Sequence, residues 1–369
     1  MIRLERRVDQ PRWLKVAVPL GSVAAALVAG GILLALTGHD PIDTYRRIID
    51  RGFTSPGAFT ATLTAATPLL FTGLAAAAAF RMRIFNVGGD GQLIVGAIGA
   101  SGVGLALGDK PGAVVIAAMV VAGALCGAAW AAIAGALRAW LNTNEIITTL
   151  MLNYLAINLA TYLVFGSNSH WRLLTGTGKV FPQGRPLVEA AHWPTFDLGR
   201  VTVGFGFVLG TLIAICLFVL FRSTRYGFQV KVIGDEQRAA RYAGMRTKRT
   251  IFTLLALSGA IAGIGGAADV GDTRWVLDPK ALSQVGYGYA GIVVAALARL
   301  NPIAVVVVSI LMGGLANAGR SLQGPDFPAG LVGTLEGLLL VFTLAGELFA
   351  RYRVRRVASH HVEAEAVPA

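Results

Sequence analysis

The sequence predicts an all-α integral membrane protein of about ten transmembrane helices, and three observations carry that expectation. Apolar residues make up 55% of the chain and charged residues only 14%, a balance no water-soluble globule shows. Mean hydropathy is +0.64. The apolar residues gather in runs near the ~20 residues needed to cross a bilayer at 1.5 Å per residue. The net charge of +12 comes from 32 Lys and Arg, but these are spread between the runs instead of lining one basic face, which argues against a nucleic-acid partner and for topology signals facing membrane lipid.

Residues 1–15, MIRLERRVDQPRWLK, read as a cytoplasmic tail. A transmembrane domain follows over 16–349. Its first run, 16–37, is longer than a signal-peptide core and is expected to be retained. Further spans are expected at 60–80, 88–107, 112–137, 146–165, 203–221, 250–270 and 329–349, with short segments at 286–298 and 303–317. A helix over 286–298 would be only ~20 Å long, so 286–317 is either tilted or a re-entrant hairpin. With the N-terminus inside, Lys and Arg divide 21 to 11 in favour of the cytoplasmic pieces, as the positive-inside rule requires. Both termini are therefore expected inside a cell (plasma or inner) membrane. Residues 222–249 then form a cytoplasmic loop, 166–202 an irregular external loop, and 350–369 a basic, then disordered, cytoplasmic tail.

The apolar pattern breaks in two places. In FNVGGDGQ, Asn86, Gly88, Asp90 and Gln92 crowd the start of the third span, where the helix is expected to be broken or short over 85–92. In QVGYGYAG, residues 284–291, the eighth segment opens on alternating glycines around Tyr287, giving a second short helix near 284–302. If the second to fifth spans recur inverted as the seventh to tenth, these breaks correspond, and matched broken helices point to a transport path. The plainer reading is helix capping and close packing. A further polar cluster, NEIITTLMLNY, puts Asn144 and Glu145 at the mouth of the fifth span and Asn153 inside it; Glu145 also suits a helix N-terminus. Glu336 in the last span is an intramembrane charge without an evident partner.

No phosphate-binding loop is present, since Gly176-Thr177-Gly178-Lys179-Val180 has the wrong spacing. The five histidines lack zinc or catalytic spacing, and Cys126 and Cys216 lie in apolar runs. No catalytic residue, metal site or cofactor of this chain's own is expected.

VIGDEQRAARYAGM, residues 232–245, is instead charged and short. Asp235 is the expected N-cap, Glu236 a favourable first-turn anion, and Gly244 the C-terminal stop. Ala239, Ala240 and Gly244 leave one side nearly bare for close approach of another surface. Arg238 and Arg241 also suit contact with anionic lipid.

The ordered motifs FNVGGDGQ, NEIITTLMLNYLA, YGFQVKVIGDEQRAARYAGM, LSGAIAGIGGAADV and GYGYAGIVVAALARLNPIAVVVVSILMGG resemble the permease subunits of ABC importers for nucleosides and simple sugars, over about residues 60–349. The forms of the first two motifs look closer to nucleoside permeases, although Asp90 stands where Glu is more usual. The resemblance implies ten helices in two inverted halves, and a coupling helix at Gly234–Gly244 that seats in an ATPase subunit through Gly234, Asp235, Glu236, Arg238, Ala239, Ala240 and Gly244. It also implies a second permease subunit, like or unlike, and an extracytoplasmic substrate-binding protein or lipoprotein. ATP and magnesium would sit on the ATPase. The expected path residues are Asn86, Gly88, Asp90, Gln92, Asn144, Glu145, Asn153 and Tyr287. The competing class is an ion-coupled secondary transporter using Asp90, Glu145 or Glu336.

The charge asymmetry is tested by labelling: single cysteines within 171–195 should react with an impermeant reagent applied outside, and those within 228–245 should not. Reversed labelling refutes the orientation.

Overall fold

The computed structural model describes residues 2–6, 13–322 and 330–356. It divides into two compact units, one of residues 40–332 and one combining 1–39 with 333–369.

In the larger unit, α2 (Pro41–Ile49) starts at the Asp40 cap, whose carboxylate accepts from the Ile42 and Asp43 amides, and continues into a π-type turn, Asp50–Thr54. The apolar runs become α3 (Ala58–Phe80), α4 (Gly89–Ala106), α5 (Gly112–Leu141), α6 (Glu145–Thr161), α7 (Phe205–Ser223) and α10 (Thr247–Ala268). Charged α8 (Arg225–Asp235) and α9 (Gln237–Tyr242) link α7 to α10; α11 (Pro279–Val285), α12 (Tyr287–Leu297) and α13 (Pro302–Ser321) follow. Six helices are long and apolar enough to cross a membrane among the described residues: α3, α5, α6 with its following turn, α7, α10 with its following turn, and α13. α4 and α12 are not among them: α12 is short at 11 residues, as expected at the second break, whereas α4 is a full 18 residues and begins only after the irregular 84–88 segment. The loop at 166–202 is largely irregular as expected, but it ends in a hairpin pairing Thr195–Leu198 with Val201–Gly204.

Small residues set the packing. Water drives no association between helices inside lipid, so close van der Waals contact must do so. α5 lays Gly123, Gly127 and Ala131 antiparallel against Ala267, Gly263 and Gly259 of α10, where a Cβ on Gly123 would come within 2.8 Å of Gly263 O. Gly266 of α10 sits on the Leu93 carbonyl of α4. On the other side α3 packs antiparallel on α13, with Ala66 opposite Gly313 and Gly73 opposite Val305. α3 also touches α12, as α10 touches α4; α3 meets α10, and α4 meets α12. Exchanging α3 with α10, α4 with α12 and α5 with α13 maps these packings onto one another.

Sequence reading missed α2. Its turn is tied to the bundle by Thr62 donating to Gly52 O (2.5 Å) and Asn317 donating to Arg51 O (3.2 Å).

In the smaller unit, α1 (Leu14–Leu36) and α14 (Leu331–Arg351) occupy the expected first and last spans. The two tails differ from expectation: Ile2–Arg6 pairs antiparallel with Tyr352–Arg356. The tail beyond residue 356 and the Glu336 side chain lie outside the described residues.

The glycine seam makes a direct demand. Gly263→Val would set its first added carbon 2.9 Å from Gly127 Cα, an overpacking that costs about 1–3 kcal/mol or more. The variant should show a lower thermal midpoint in detergent, whereas Gly21→Ala, which meets nothing within 4 Å, should not. An unchanged midpoint for Gly263→Val refutes the seam.

Candidate functional site

After α3 the chain turns at Arg81–Arg83 and runs irregularly through 84–88 before α4 begins. An irregular backbone at membrane depth must find its hydrogen bonds in protein. α6 supplies them from one face. Glu145, Thr149 and Asn153, each four residues apart, form a ladder: Glu145 Oε1 accepts from Phe85 N (3.4 Å), Thr149 Oγ1 from Val87 N (3.3 Å), and Asn153 Oδ1 from Gly91 N (2.9 Å). Asn153 Nδ2 also donates to Val87 O (3.0 Å). Asn86 and Gln92 form a reciprocal amide pair with both bonds at 2.9 Å. Asn86 also accepts from Gly88 N (3.0 Å) and donates to Ser258 Oγ (2.9 Å), which in turn donates to Ala75 O (2.8 Å).

These partners fix the depth of the break. Ser258 lies near the middle of α10 and its turn, and Asn153 near the middle of α6 and its turn. The polar cluster therefore sits midway through the helical layer. Sequence reading had placed it at the cytoplasmic mouth, because residue number cannot show that 84–88 climbs before α4 starts.

The second break meets the first there. α11 stops at Gly286 in the left-handed conformation (φ +65°), and α12 starts at once. Gly288 N donates to the buried carboxylate of Asp90, at Oδ1 (2.7 Å). A Cβ on Gly288 would lie 2.9 Å from Asp90 Cγ, and one on Gly89 3.1 Å from Gly288 Cα. Only glycine allows this approach. Two helix N-termini, each carrying roughly half a positive charge, thus face each other across one carboxylate.

Tyr287 anchors α12 twice. Its carbonyl accepts from Thr72 Oγ1 (2.8 Å) and its hydroxyl from Arg274 Nη2 (3.3 Å); Arg274 Nε pairs with Asp269 at 2.6 Å. Sequence reading missed this triad, although Asp269 and Arg274 stand five apart at the end of the apolar run of α10. The long loop reaches the same turn, with Leu187 N donating to Trp275 O (2.7 Å) and Trp193 N to Gly271 O (2.9 Å).

Of the expected path residues, Asn86, Gly88, Asp90, Gln92, Asn153 and Tyr287 are brought to one buried locus. Asn144 and Glu145 remain at the α6 start: Asn144 caps Ile146 N (2.9 Å), and Glu145 is paired with Arg138 (3.2 Å).

The expected coupling stretch is a separate place on the same unit. Asp235 ends α8 instead of capping the next helix, and lies 3.5 Å from Arg83. Glu236, in extended conformation, is the cap of α9, accepting from Arg238 N (3.1 Å). The helix is one residue later and shorter than expected because the favourable α8 runs through Gly234 to Asp235. Gly244 does turn left-handed (φ +75°). Ala240 differs from the expectation of a bare outer side: it is fully buried among Met82, Ile84, Ile233 and Leu254 of its own unit. Gly234 seats against the Arg81–Met82 turn. Glu236, Arg238, Ala239 and Gly244 are exposed, as is the neglected Tyr242 at 93%.

The family described as branched-chain amino acid transport system, permease component, matches residues 58–344. The chain belongs to this permease family. It is 33% identical over 364 residues to the glucose ABC transporter permease protein of Haloferax volcanii, covering 96% of this chain and 93% of that one. The nucleoside ABC transporter permease protein of Lactococcus lactis subsp. cremoris is 27% identical, covering 89% and 90%. The guanosine ABC transporter permease protein of Bacillus subtilis is 31% identical, covering 81% and 84%. The protein is a multi-pass membrane permease subunit of an ABC importer.

Asp90→Asn keeps an acceptor for Gly288 N but removes the charge between two helix N-termini, worth up to about 2 kcal/mol at a partly buried helix end. Asn153→Leu leaves Val87 O and Gly91 N unpaired at about 1–3 kcal/mol each. Both permease variants should insert but show a reduced thermal midpoint and reduced uptake in reconstituted vesicles, Asn153→Leu more so. Wild-type stability and uptake in both would show that the junction holds nothing.

Proposed function

We propose that the permease carries a neutral, hydroxyl-rich solute, a nucleoside or simple sugar, through a path framed by the α4–α12 junction. The reading is carried by the meeting of two broken helices midway through the helical layer, a recurring arrangement of substrate sites in transporters. The named substrates of the relatives, guanosine, nucleosides and glucose, favour that solute class. Ten spans in two inverted halves complete the proposed fold. The exchangeable packings of α3, α4 and α5 with α10, α12 and α13 support it. Both termini and the 222–249 loop are assigned to the cytoplasm, and loop 166–202 to the outside.

In this scheme Asn86, Gly88, Gln92 and Asn153 are the frame, and Asp90 and Tyr287 the joint between α4 and α12. Asn144 and Glu145 anchor the inner end of α6. Glu236, Arg238, Ala239, Tyr242 and Gly244 present the coupling surface to a cytoplasmic ATPase, which holds ATP and magnesium. Asp235, Gly234 and buried Ala240 brace that surface from behind. A second permease subunit completes the path, and an extracytoplasmic binding protein or lipoprotein delivers the solute. Displacement of α9 reaches the break directly. Met82 and Ile84, which share one buried apolar cluster with Ala240, belong to the turn leading into 85–91, and rigid packing transmits small shifts between discrete arrangements.

Two measurements test this. With the ATPase and binding protein present, guanosine or glucose should compete for uptake and leucine should not; competition by leucine alone overturns the solute reading. Ala239→Trp should reduce substrate-stimulated ATP hydrolysis by ~5- to 150-fold through overpacking of the docked surface. Arg238→Ala should change it little, because exposed pairs contribute about 0–1 kcal/mol. A coupled, fully assembled Ala239→Trp permease would refute the docking surface.

A further inference from the structure

Three largely exposed spans differ in what they expose. α5 shows Val114, Val121, Leu125 and Ile133; α7 shows Leu212, Ile215 and Val219. Such apolar stripes suit hydrocarbon. α6 is mixed: beside exposed Ile147, Met151, Leu155 and Leu159 it carries, behind its buried ladder, exposed Tyr154, Asn158 and Tyr162, spaced four apart on one stripe, with both tyrosines 60% exposed. Tyr162 could rest in an interfacial aromatic belt, but Tyr154 and Asn158 could not. Asn158 lies about 12 Å inside the nearer end of the Glu145–Gly166 span at 1.5 Å per residue. An asparagine is too short to reach water from there, and lipid would leave part of its amide unsatisfied. Asn158 Nδ2 donates back to Tyr154 O (2.8 Å), which holds the amide along the stripe.

The stripe adjoins the junction. Asn153 binds Gly91, and Gly288 binds Asp90. Tyr154 and Tyr289 are therefore each one residue from groups that grip the same dipeptide, and Tyr289 is 47% exposed. From Ile146 to Gly166 the chain has no charged residue, so the stripe offers ring faces, phenols and one amide, bordered by the apolar Met151 and Leu155. That chemistry complements an uncharged molecule with hydroxyls and a flat apolar face, and disfavours a zwitterion, whose charges would go unpaired.

We propose that Tyr154, Asn158 and Tyr289 contact the transported solute and set its selectivity, with Asn158 reading a hydroxyl. This rests on the neutral-solute reading above but can fail separately. In a permease carrying Cys126→Ala and Cys216→Ala, a thiol from Asn158→Cys should react with an impermeant methanethiosulfonate at least about tenfold faster than one from Leu125→Cys or Val219→Cys, and saturating guanosine or glucose, whichever is carried, should slow it. In the otherwise unaltered assembly, Asn158→Leu should raise the KM of uptake about 2- to 10-fold, the loss of one hydrogen bond, with the permease and ATPase still copurifying. Slow reaction at 158 means lipid or a dry protein face covers the stripe and overturns the proposal; so does fast reaction without solute protection together with an unchanged KM. Absence of guanosine and glucose uptake by the unsubstituted assembly would instead overturn the solute reading, and a fast thiol at 158 would then be probed with leucine, whose protection would also overturn the neutral-solute stripe.

Discussion

The bond from Gly288 N to Asp90 Oδ1 joins two ends that electrostatics would push apart. α4 and α12 meet head to head, and each presents unpaired amides and a partial positive charge. In a layer without water these ends need an anion or acceptors between them. Asp90 supplies the anion, Asn153 the acceptor for Gly91 N, and Asn86 the acceptor for Gly88 N. Gly89 and Gly288 then follow as steric necessities, since a methyl on either would meet the other helix's backbone. The polar residues and glycines of the two broken motifs are thus one solution to one problem. Their lack of resemblance follows, because α4 contributes the carboxylate and α12 the amide.

Three structures converge on this joint from different directions. The glycine seam of α5 and α10 holds Ser258 in place, and Ser258 steadies Asn86. The 81–84 turn, buried against Val230, Ile233 and Ala240, connects the joint to the charged α8–α9 loop. The Asp269–Arg274–Tyr287 triad connects it to the turn on which the 184–193 loop rests. A buried ion pair adds little to stability over a well-packed apolar substitute. It does fix position, and here it sets where the α12 N-terminus stands. A joint held from both ends of the helical layer can report movement at either end.

Much of the fold was legible because span length and hydropathy are local properties. The runs at 60–80, 112–137 and 250–270 became α3, α5 and α10 with small shifts at their ends. The breaks at Asn86–Gln92 and Gly286–Gly288 were legible because polar groups and glycine are conspicuous in an apolar run. Depth was not, since it depends on where an irregular segment climbs. The side of Ala240 was not either: in a short helix flanked by charges, alanine suits a docking face and a tight internal contact equally. The ladder of Glu145, Thr149 and Asn153 was available as an i, i+4 pattern, but its meaning depended on an irregular strand lying alongside. The Asp269–Arg274 pair was not legible, because Asp272 and Asp278 stand nearer to Arg274 in the sequence and only the fold selects Asp269.

α6 carries polar groups on both faces, and each face has a different physical reason. Its buried ladder substitutes for the hydrogen bonds that 85–91 gives up by not being helical. On its exposed stripe the Asn158 amide donates to Tyr154 O, one turn back in the same helix, and not to the broken segment. Beside that stripe α6 also exposes Ile147, Met151, Leu155 and Leu159, so its outer surface is apolar on one side and polar on the other. In the proposed path α6 would be the wall beside the joint, where a shift of α4 against the ladder would carry Asn153 and its neighbour Tyr154 together. The same helix would then hold the broken segment in place and change the surface that the solute meets.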